Sequence, residues 1–243
     1  MTFDIFLAKH FLFLTKHFTQ EDLCCIIIDR IKGTAVGGTC SDVLRFTRRK
    51  ERLSMRVITG TARGRRLKTL EGSNVRPTTD RVKEAIFSVI QFDLEGRRLL
   101  DLFAGSGQMG IEALSRGAKE VVFVDSAAAA VGVVRENLKN CGLQKAAVVV
   151  QGDALAYLHP RAGRAEFDIA FLDPPYGKGI LQSVLPAVAS VMKPTGVIIC
   201  ESPMEETLPP QTGMFAIDRE YRYGKIKVTF YRTADTSADR NAD

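Results

Sequence analysis

The sequence predicts an α/β fold in which a mostly parallel sheet is covered by helices on both of its faces. Short apolar runs of strand length alternate with helical patterns between residues 97 and 232. Two of these runs end in loops whose residue types are typical of ligand sites in open sheets. A chain of 243 residues with 45% hydrophobic content is long enough for one such core and a smaller appendage.

The predicted elements alternate along the chain. Strands are predicted at residues 98–103, 120–124, 146–150, 167–172 and 196–200, helices at 82–90, 111–117, 127–141 and 180–192, and a closing hairpin at 215–223 and 226–231. Gly142 is the predicted C′ residue of its helix, and Thr79 or Asp80 is the predicted N-cap of the first helix. Because parallel strands need crossover connections, strands separated by helices favour a doubly wound sheet.

A glycine-rich loop follows the first of these strands. Gly105, Gly107 and Gly110 match the pattern G-x-G-x-x-G between a strand and a helix, where the backbone can approach a nucleotide closely. The second strand ends at Asp125, where a carboxylate can bind ribose hydroxyls. Dinucleotide-binding oxidoreductases share this pattern, so the loop alone leaves both NAD and S-adenosylmethionine as candidate cofactors.

Two further acids favour S-adenosylmethionine. Asp101 lies inside the first strand, four residues before Gly105, where a carboxylate can reach the cationic methionine portion of that cofactor. An acid in this place is poorly suited to a pyrophosphate. Asp153 follows the third strand and can accept a hydrogen bond from the adenine amino group. With the neighbouring Ala104 and Ala154, these residues make up the predicted cofactor site.

The second loop is Asp173-Pro174-Pro175-Tyr176, which directly follows the strand at 167–172. Two prolines stiffen the loop and end the strand, because neither has an N–H group. Asp173 and the Pro174 carbonyl can take the two hydrogens of an exocyclic amine and turn its lone pair out of the plane of the base, while Tyr176 can stack on the base. The alternative is a strand-ending turn in which Asp173 caps and Tyr176 packs. The loop favours methyl transfer to a base amine, and a nicotinamide enzyme has no use for it.

The charge distribution favours a polyanionic partner. The net charge is +6 and the sequence pI is about 9.1. Residues 56–70 read as a β-hairpin about Gly60–Gly64. Its predicted phosphate-binding residues are Arg63, Arg65, Arg66 and Lys68. The alternative is that these charges form an ordinary solvated face.

Several other classes are disfavoured. The five cysteines have no C-x-x-C spacing, and none of the three histidines pairs with a cysteine at metal-ligand spacing, so neither a metal site nor a disulfide framework is predicted. No apolar run approaches the ~20 residues of a membrane span, and no signal peptide is recognised. The sequence therefore predicts a cytoplasmic protein without a membrane partner.

Five stretches together resemble one family, the bacterial 16S ribosomal RNA guanine-N2 methyltransferases of the RsmD type. They are MRVITGTARGRRL, RPTTDRVKEAIFSVI, LLDLFAGSGQMGIEALSRGA, FLDPPYGKG and YGKIKVTFYR, and they extend from Met55 to Arg232. The resemblance implies a class I S-adenosylmethionine-dependent methyltransferase fold with a Rossmann-like, seven-stranded, mostly parallel sheet. In that sheet the first and fourth strands are neighbours, so Gly105 and Asp173 would share one crevice.

The resemblance also implies a function, the transfer of a methyl group from S-adenosylmethionine to the exocyclic N2 of a guanine in 16S ribosomal RNA, and it implies further site residues. Arg76, Thr78 and Arg81 would lie over the site. The partner would be 16S rRNA within a small ribosomal subunit particle, and the protein would act as a monomer. Two features depart from the family. The first 54 residues match nothing in it, and the run 127–130 consists of alanines where polar and aromatic residues usually contact the adenine. Two alternatives remain, an adenine-N6 methyltransferase acting on DNA or RNA, and a nucleic-acid-binding protein with a relict cofactor pocket.

The chain is accordingly predicted to have four parts. Residues 1–54 are predicted to be either a weakly ordered extension or a stretch that precedes the true start of translation, since Met55 opens the first segment with a clear apolar pattern. Residues 55–96 are a basic hairpin and a helix that bind RNA and cover the site. Residues 97–232 form the methyltransferase domain, and the small polar residues 233–243 form a disordered tail.

Overall fold

A computed structural model describes residues 55–70, 80–177 and 179–233. The chain divides into two units, Met1–Ser54 and Met55–Asp243, and all described residues lie in the second. The predictions for residues 1–54, for Arg76, Thr78 and Thr79, and for the tail beyond residue 233 fall outside the described residues. The four-part division of the chain remains a prediction.

The described residues contain one sheet of eight strands. Its strands are β1 (Arg98–Leu102), β2 (Glu120–Asp125), β3 (Ala147–Gln151), β4 (Phe167–Leu172), β5 (Met192–Pro203), β6 (Gln211–Thr212), β7 (Phe215–Tyr223) and β8 (Ile226–Arg232). Their order across the sheet is β3-β2-β1-β4-β5-β8-β7-β6. The pairs among β1 to β5 are parallel and those among β5 to β8 antiparallel, so β1 and β4 are neighbours as expected.

The sheet has one strand more than the seven expected. The addition is β6, a two-residue strand that pairs only with Phe215 and Ala216 at the edge of the sheet. A strand of two residues is too short to show the alternation of apolar and polar residues by which strands are recognised. It forms because β7 provides an edge for it to pair with. The α/β class and the mostly parallel core are as predicted.

Helices cover both faces of the sheet. They are α1 (Asp80–Val89), α2 (Gln108–Ser115), α3 (Ala128–Cys141), α4 (Ala154–Leu158) and α5 (Ile180–Ala189). An apolar core lies between the helices and the sheet on each face. Helices α1, α2 and α3 pack on one face, and α4 and α5 pack on the other. We call the first of these the α1–α3 face. No helix in the described ranges is long and apolar enough to cross a membrane.

Two boundaries differ from the predicted ones for a common reason. The helix predicted to end at Met192 ends at Ala189, and the strand predicted to begin at Gly196 begins at Met192. Met192 pairs with Phe167 of β4, so strand pairing claims residues whose apolar pattern also suits a helix. By contrast, Gly142 ends α3 with a φ of +73°, in the left-handed conformation predicted for a C-terminal cap.

The predicted hairpin at residues 56–70 is reduced to a single antiparallel bridge between Arg56 and Arg66. The Val57 amide donates to the Arg65 carbonyl at 3.0 Å, and a turn occupies 61–64. We call residues 55–70 the basic segment. Its conformation depends on docking against α2 and α3 more than on its own ladder.

Candidate active site

The carboxyl edge of the sheet carries four acids on one face. In register, Asp101 of β1 lies beside Phe123 of β2 and Phe171 of β4, and Phe171 lies beside Ile199 of β5. Phe123, Phe171 and Ile199 belong to the core under the α1–α3 face. Since side chains alternate along a strand, residues two positions further on face the same way.

Those positions are occupied by Asp125, Asp173 and Glu201. Asp125 ends β2, Asp173 directly follows β4, and Glu201 lies near the end of β5. Together with Asp101, which lies one pleat deeper, we call them the acid row. Neighbouring strands are about 4.8 Å apart, so the row extends over roughly 14 Å of one edge.

The glycine loop is held against the acid row by backbone hydrogen bonds. The Gly105 amide donates to Asp125 Oδ2 at 2.8 Å, and the Gly110 amide donates to Asp101 Oδ2 at 2.9 Å. Gly105 and Gly107 have φ values of +54° and +75°, which side chains rarely adopt. A Cβ on Gly110 would lie 2.3 Å from the Phe123 ring, so this glycine lets α2 pack closely on β2.

Burial changes the charge state of the inner acids. Asp101 is 4% exposed, and desolvation raises its pKa to about 7; the charge of Asp125 adds to the shift, and the Gly110 amide opposes it. Desolvation also raises the pKa of Asp173 well above its ordinary value, with smaller contributions from the charges of Glu201 and Asp101. A cation bound in this cleft would favour the ionised form of both groups.

The D-P-P-Y loop presents an exposed ring beside a half-buried carboxyl. Pro174 is buried, Pro175 is exposed, and the Tyr176 side chain is 47% exposed. The Tyr176 hydroxyl donates to Glu201 Oε1 at 3.0 Å, which fixes the ring over the end of β5. The turn alternative for this loop placed Asp173 as a cap, and no hydrogen bond of that kind from Asp173 is found among the described residues.

The adenine candidates lie at the start of α4, a helix that the sequence did not predict. Asp153 is its N-cap, exposed, and its Oδ1 accepts from the Ala156 amide at 3.0 Å. Ala154 is buried in the core of the opposite face. Ala104, in the glycine loop, is also buried, and its amide donates to the Val124 carbonyl at 3.0 Å.

The residues present fit S-adenosylmethionine. Its sulfonium and ammonium are cations, and Asp101, Asp125 and Asp153 supply carboxylate acceptors along one edge. Adding a Cβ to Gly105 would meet no atom within 4 Å, so the loop leaves open space at this point. Gln108, the first residue of α2, has a buried Oε1 without a hydrogen-bond partner in the described part of the chain, an acceptor beside the glycine loop.

Only part of the predicted RNA-binding set lies at this edge. The Gly60 and Thr61 backbone contacts Ser115 at the far end of α2, about 12 Å from its start, so Arg63 in the adjoining turn lies toward the opposite edge. Burial raises the pKa of the Cys141 thiol at the far end of α3, and the charge of Arg65 opposes this shift. Arg65 therefore lies near Cys141.

Lys68 and Arg81 lie nearer the acid row. The Lys68 backbone binds Asn137, which also binds the Ser106 carbonyl in the glycine loop. Burial raises the pKa of Tyr223 and the charge of Arg81 opposes the shift, so Arg81 lies near the carboxyl edge beside β7. Arg63, Arg65, Arg66, Lys68 and Arg81 are all exposed.

Sequence reasoning missed two features of the site. Glu201 is only 8% exposed although it carries a carboxylate, and the available signal was a charged residue directly after the apolar run GVIIC. Phe103 has a φ of +69°, which is unusual for a residue with a side chain. It bends the chain between β1 and the glycine loop, and no sequence pattern indicates this.

The chain matches known proteins over the same residues that carry the motifs. A family model described as "Conserved hypothetical protein 95" matches residues 55–232. The putative rRNA methyltransferase YlbH of Bacillus subtilis is 43% identical over 181 residues, covering 73% of this chain and 98% of that protein. Ribosomal RNA small subunit methyltransferase D of Escherichia coli strain K12 is 31% identical over 193 residues, covering 78% and 94%.

Solved structures agree with these matches. The putative methyltransferase yhhF from Escherichia coli has a TM-score of 0.67 and 32% identity, covering 74% of this chain and 99% of that one. An RNA methyltransferase from Salinibacter ruber, in complex with S-adenosyl-L-homocysteine, shares the fold at 19% identity with a TM-score of 0.51, covering 65% and 95%. The resemblance carried by the five motifs is thus confirmed, and the chain belongs to the Conserved hypothetical protein 95 family, that of the RsmD-type methyltransferases.

Proposed function

We propose that this protein transfers a methyl group from S-adenosylmethionine to the exocyclic N2 of a guanine in 16S ribosomal RNA. The observation that carries the proposal is the shared edge of the two predicted loops. The glycine loop binds Asp125, and the charge of Asp101 acts on Asp173, so both loops open on the α1–α3 face of the same strand ends. This arrangement supports the shared crevice that the family resemblance implies for Gly105 and Asp173.

The bound cofactor supplies an electrophilic methyl group and leaves as a neutral thioether, so little charge must be stabilised and positioning carries most of the rate. Asp101 and Asp125 hold the cationic end and the ribose. Asp173 and the Pro174 carbonyl accept the two N2 hydrogens, which frees the nitrogen lone pair to attack the methyl carbon. With the cofactor bound, the new N–C bond would form as the C–S bond broke, and the methylated nitrogen would then release its extra proton to solvent.

The basic segment and α1 supply cations for the RNA backbone. Arg63, Arg65 and Arg66 are exposed and form no salt bridge with any residue in the described ranges. Lys68 pairs with Glu136 on α3 and Arg56 with Asp80 on α1, which occupies their charges. Since Arg63 and Arg65 lie toward the far end of α2, the RNA would extend along this helix as well as across the acid row.

We further propose that the substrate is a small-subunit particle, that the protein acts as a monomer, and that it does so in the cytoplasm. A structured RNA must present one unstacked base to a cleft at a sheet edge, and unstacking costs a few kcal/mol unless the RNA already exposes that base. A partly assembled particle can hold RNA in such a conformation, whereas naked RNA samples many others.

The test is methylation with labelled S-adenosylmethionine, using naked 16S RNA and small-subunit particles that lack the modification. Digestion to nucleosides should give labelled N2-methylguanosine, with particles the better substrate. Labelled N6-methyladenosine would instead support the adenine alternative. Asp173→Ala should abolish transfer while calorimetry still detects S-adenosylhomocysteine, and full activity of this variant would refute the role of Asp173. Weak or absent cofactor binding by the unchanged protein would support the relict pocket.

The contribution of the arginines is measured separately. Charge reversal at Arg65 and Arg66 should weaken RNA binding and reduce its dependence on salt, because fewer counterions are released from the RNA. Arg164 is an exposed arginine that pairs with Glu166 and offers a matched control. An unchanged salt slope would return Arg65 and Arg66 to the solvated-face interpretation.

A further inference from the structure

Glu201 is the one member of the acid row that the proposed reaction leaves without a role. It lies on β5, which pairs in parallel with β4, and the register aligns Leu172 with Cys200. Asp173 and Glu201 are the next residues on the two strands. They therefore occupy neighbouring positions about 4.8 Å apart at the same edge.

One hydrogen bond, supported by one electrostatic effect, shows that Glu201 faces the predicted base-binding loop. Its Oε1 accepts from the Tyr176 hydroxyl at 3.0 Å, and its charge contributes to the raised pKa of Asp173. The side chain is 8% exposed and sits above Ile199, on the α1–α3 face. The hydrogen bond from Tyr176 thus holds a carboxylate acceptor next to the D-P-P-Y loop, at a position where burial without a partner would be costly.

The chemistry of guanine gives this second carboxylate a use. The Watson–Crick edge of guanine presents the N1–H donor next to the N2 amino group, whereas adenine presents an acceptor at N1. A carboxylate is an acceptor only, so beside N1 it binds guanine and repels adenine. Enzymes that extract a base from RNA read this edge by hydrogen bonds.

We propose that Glu201 accepts the N1–H of the target guanine while Asp173 accepts from N2, so that Glu201 selects guanine over purines that lack a proton at N1. This inference rests on the proposed function, because it assumes an N2 target. It assigns the two carboxylates different tasks: Asp173 orients the nucleophile, and Glu201 identifies the base. Tyr176 then both stacks on the base and holds Glu201 in place.

The sharpest test replaces the target guanine by 2-aminopurine, which keeps the amine at position 2 but has an acceptor at N1. Both RNAs are prepared by splinted ligation and presented in the form, naked or particle, that the unchanged protein methylates. Transfer to the modified position is measured as kcat/KM for the unchanged protein, Glu201→Gln and Glu201→Asp. The Gln amide can donate to N1 of 2-aminopurine, so this variant reverses the pairing rule at one atom.

We expect the unchanged protein to prefer guanine by at least roughly 100-fold, since a buried charged acceptor facing N1 of 2-aminopurine is left unsatisfied. Glu201→Gln should lower kcat/KM for guanine by roughly 10- to 100-fold and reduce the preference to below about 10-fold. Glu201→Asp keeps the charge and should keep the preference at a reduced rate. Tyr176→Phe keeps the stacking ring but releases the Glu201 carboxylate, so it should also weaken the guanine preference, though less than Glu201→Gln does.

The outcomes separate the two proposals. If Glu201→Gln lowers kcat/KM for both substrates equally, Glu201 only supports the tyrosine and the inference is overturned. Loss of the guanine preference in Glu201→Asp overturns it as well. If the unchanged protein methylates no guanine in either RNA form, the proposed function itself fails, and the inference fails with it.

Discussion

Asn137 connects the basic segment to the glycine loop, and its removal tests whether the two act as one unit. The side chain is fully buried on α3. Its Oδ1 accepts from the Lys68 amide at 2.7 Å, and its Nδ2 donates to the Lys68 carbonyl at 3.0 Å and to the Ser106 carbonyl at 2.9 Å. One amide thus fixes two segments that are separated by more than thirty residues of chain.

The expected cost follows from these three hydrogen bonds. A bond of this kind contributes about 1 kcal/mol net, and buried groups left without partners cost more. Asn137→Ala should therefore lower the free energy of unfolding by about 3 kcal/mol, which corresponds to roughly 6–12 °C in Tm for a domain of this size. Releasing the Ser106 carbonyl also loosens the glycine loop, so S-adenosylhomocysteine should bind several-fold more weakly because the loop must be ordered on binding.

The assay is thermal unfolding followed by circular dichroism, with calorimetry for the ligand. Asn140→Ala is the matched control, because Asn140 is an exposed asparagine on the same helix. It should change Tm by no more than about 2 °C, in keeping with a surface substitution. If Asn137→Ala unfolds at the same temperature as Asn140→Ala, or binds the ligand with unchanged affinity, the basic segment and the glycine loop are independent.

Three other predictions concern packing and protonation. Gly60→Ala should destabilise the protein far more than Gly64→Ala. Both glycines have a positive φ, but a Cβ on Gly60 would lie 1.8 Å from the Ser115 carbonyl oxygen, whereas a Cβ on Gly64 would meet nothing within 4 Å. Similar midpoints of urea unfolding for the two variants would contradict this prediction. Folding raises the pKa of Asp101 from 3.8 to about 7, so the native state binds an extra proton between these values. The stability of the cofactor-free protein should therefore fall as pH rises through this window. Asp101→Asn should reduce that slope, and the raised pKa of Asp173 should account for what remains. The rate of methyl transfer should rise with pH through a pKa well above 3.8, because Asp173 must be ionised to accept the hydrogen bond from N2. A rate that does not change between acid and neutral pH would contradict this role.

The parts of the fold that the sequence predicted best are those with strong local signals. The strand Phe167–Leu172 has the predicted bounds, because a continuous apolar run meets two prolines that cannot extend it. The last hairpin was also placed within a residue, since Gly224 separates two alternating segments. The short elements β6 and α4 were missed because their few residues form only against neighbours supplied by the rest of the chain.

The candidate site divides in the same way. The glycine loop and the D-P-P-Y loop are local patterns, and they follow two strands that are neighbours in the sheet, as the family resemblance implied. The residues that dock the basic segment have no such pattern. Glu112 accepts from the Ile58 and Thr59 amides at 2.7 and 3.0 Å, although it reads in the sequence as an ordinary helix-surface acid. Its partners lie more than fifty residues away, so only the folded chain reveals the contact.

The separation of charge in this protein explains how one cleft can serve a cation and a polyanion. The acid row alone would repel RNA, and the raised pKa values of Asp101 and Asp173 show that these carboxyls resist ionisation without a countercharge. A bound sulfonium supplies that countercharge and favours the ionised acceptors that a guanine amine needs. Cofactor and guanine binding should thus strengthen each other, and by linkage the effect is equal in both directions. On the proposed function, the exposed arginines outside the cleft would supply the attraction for the RNA backbone, so the inner face could remain acidic.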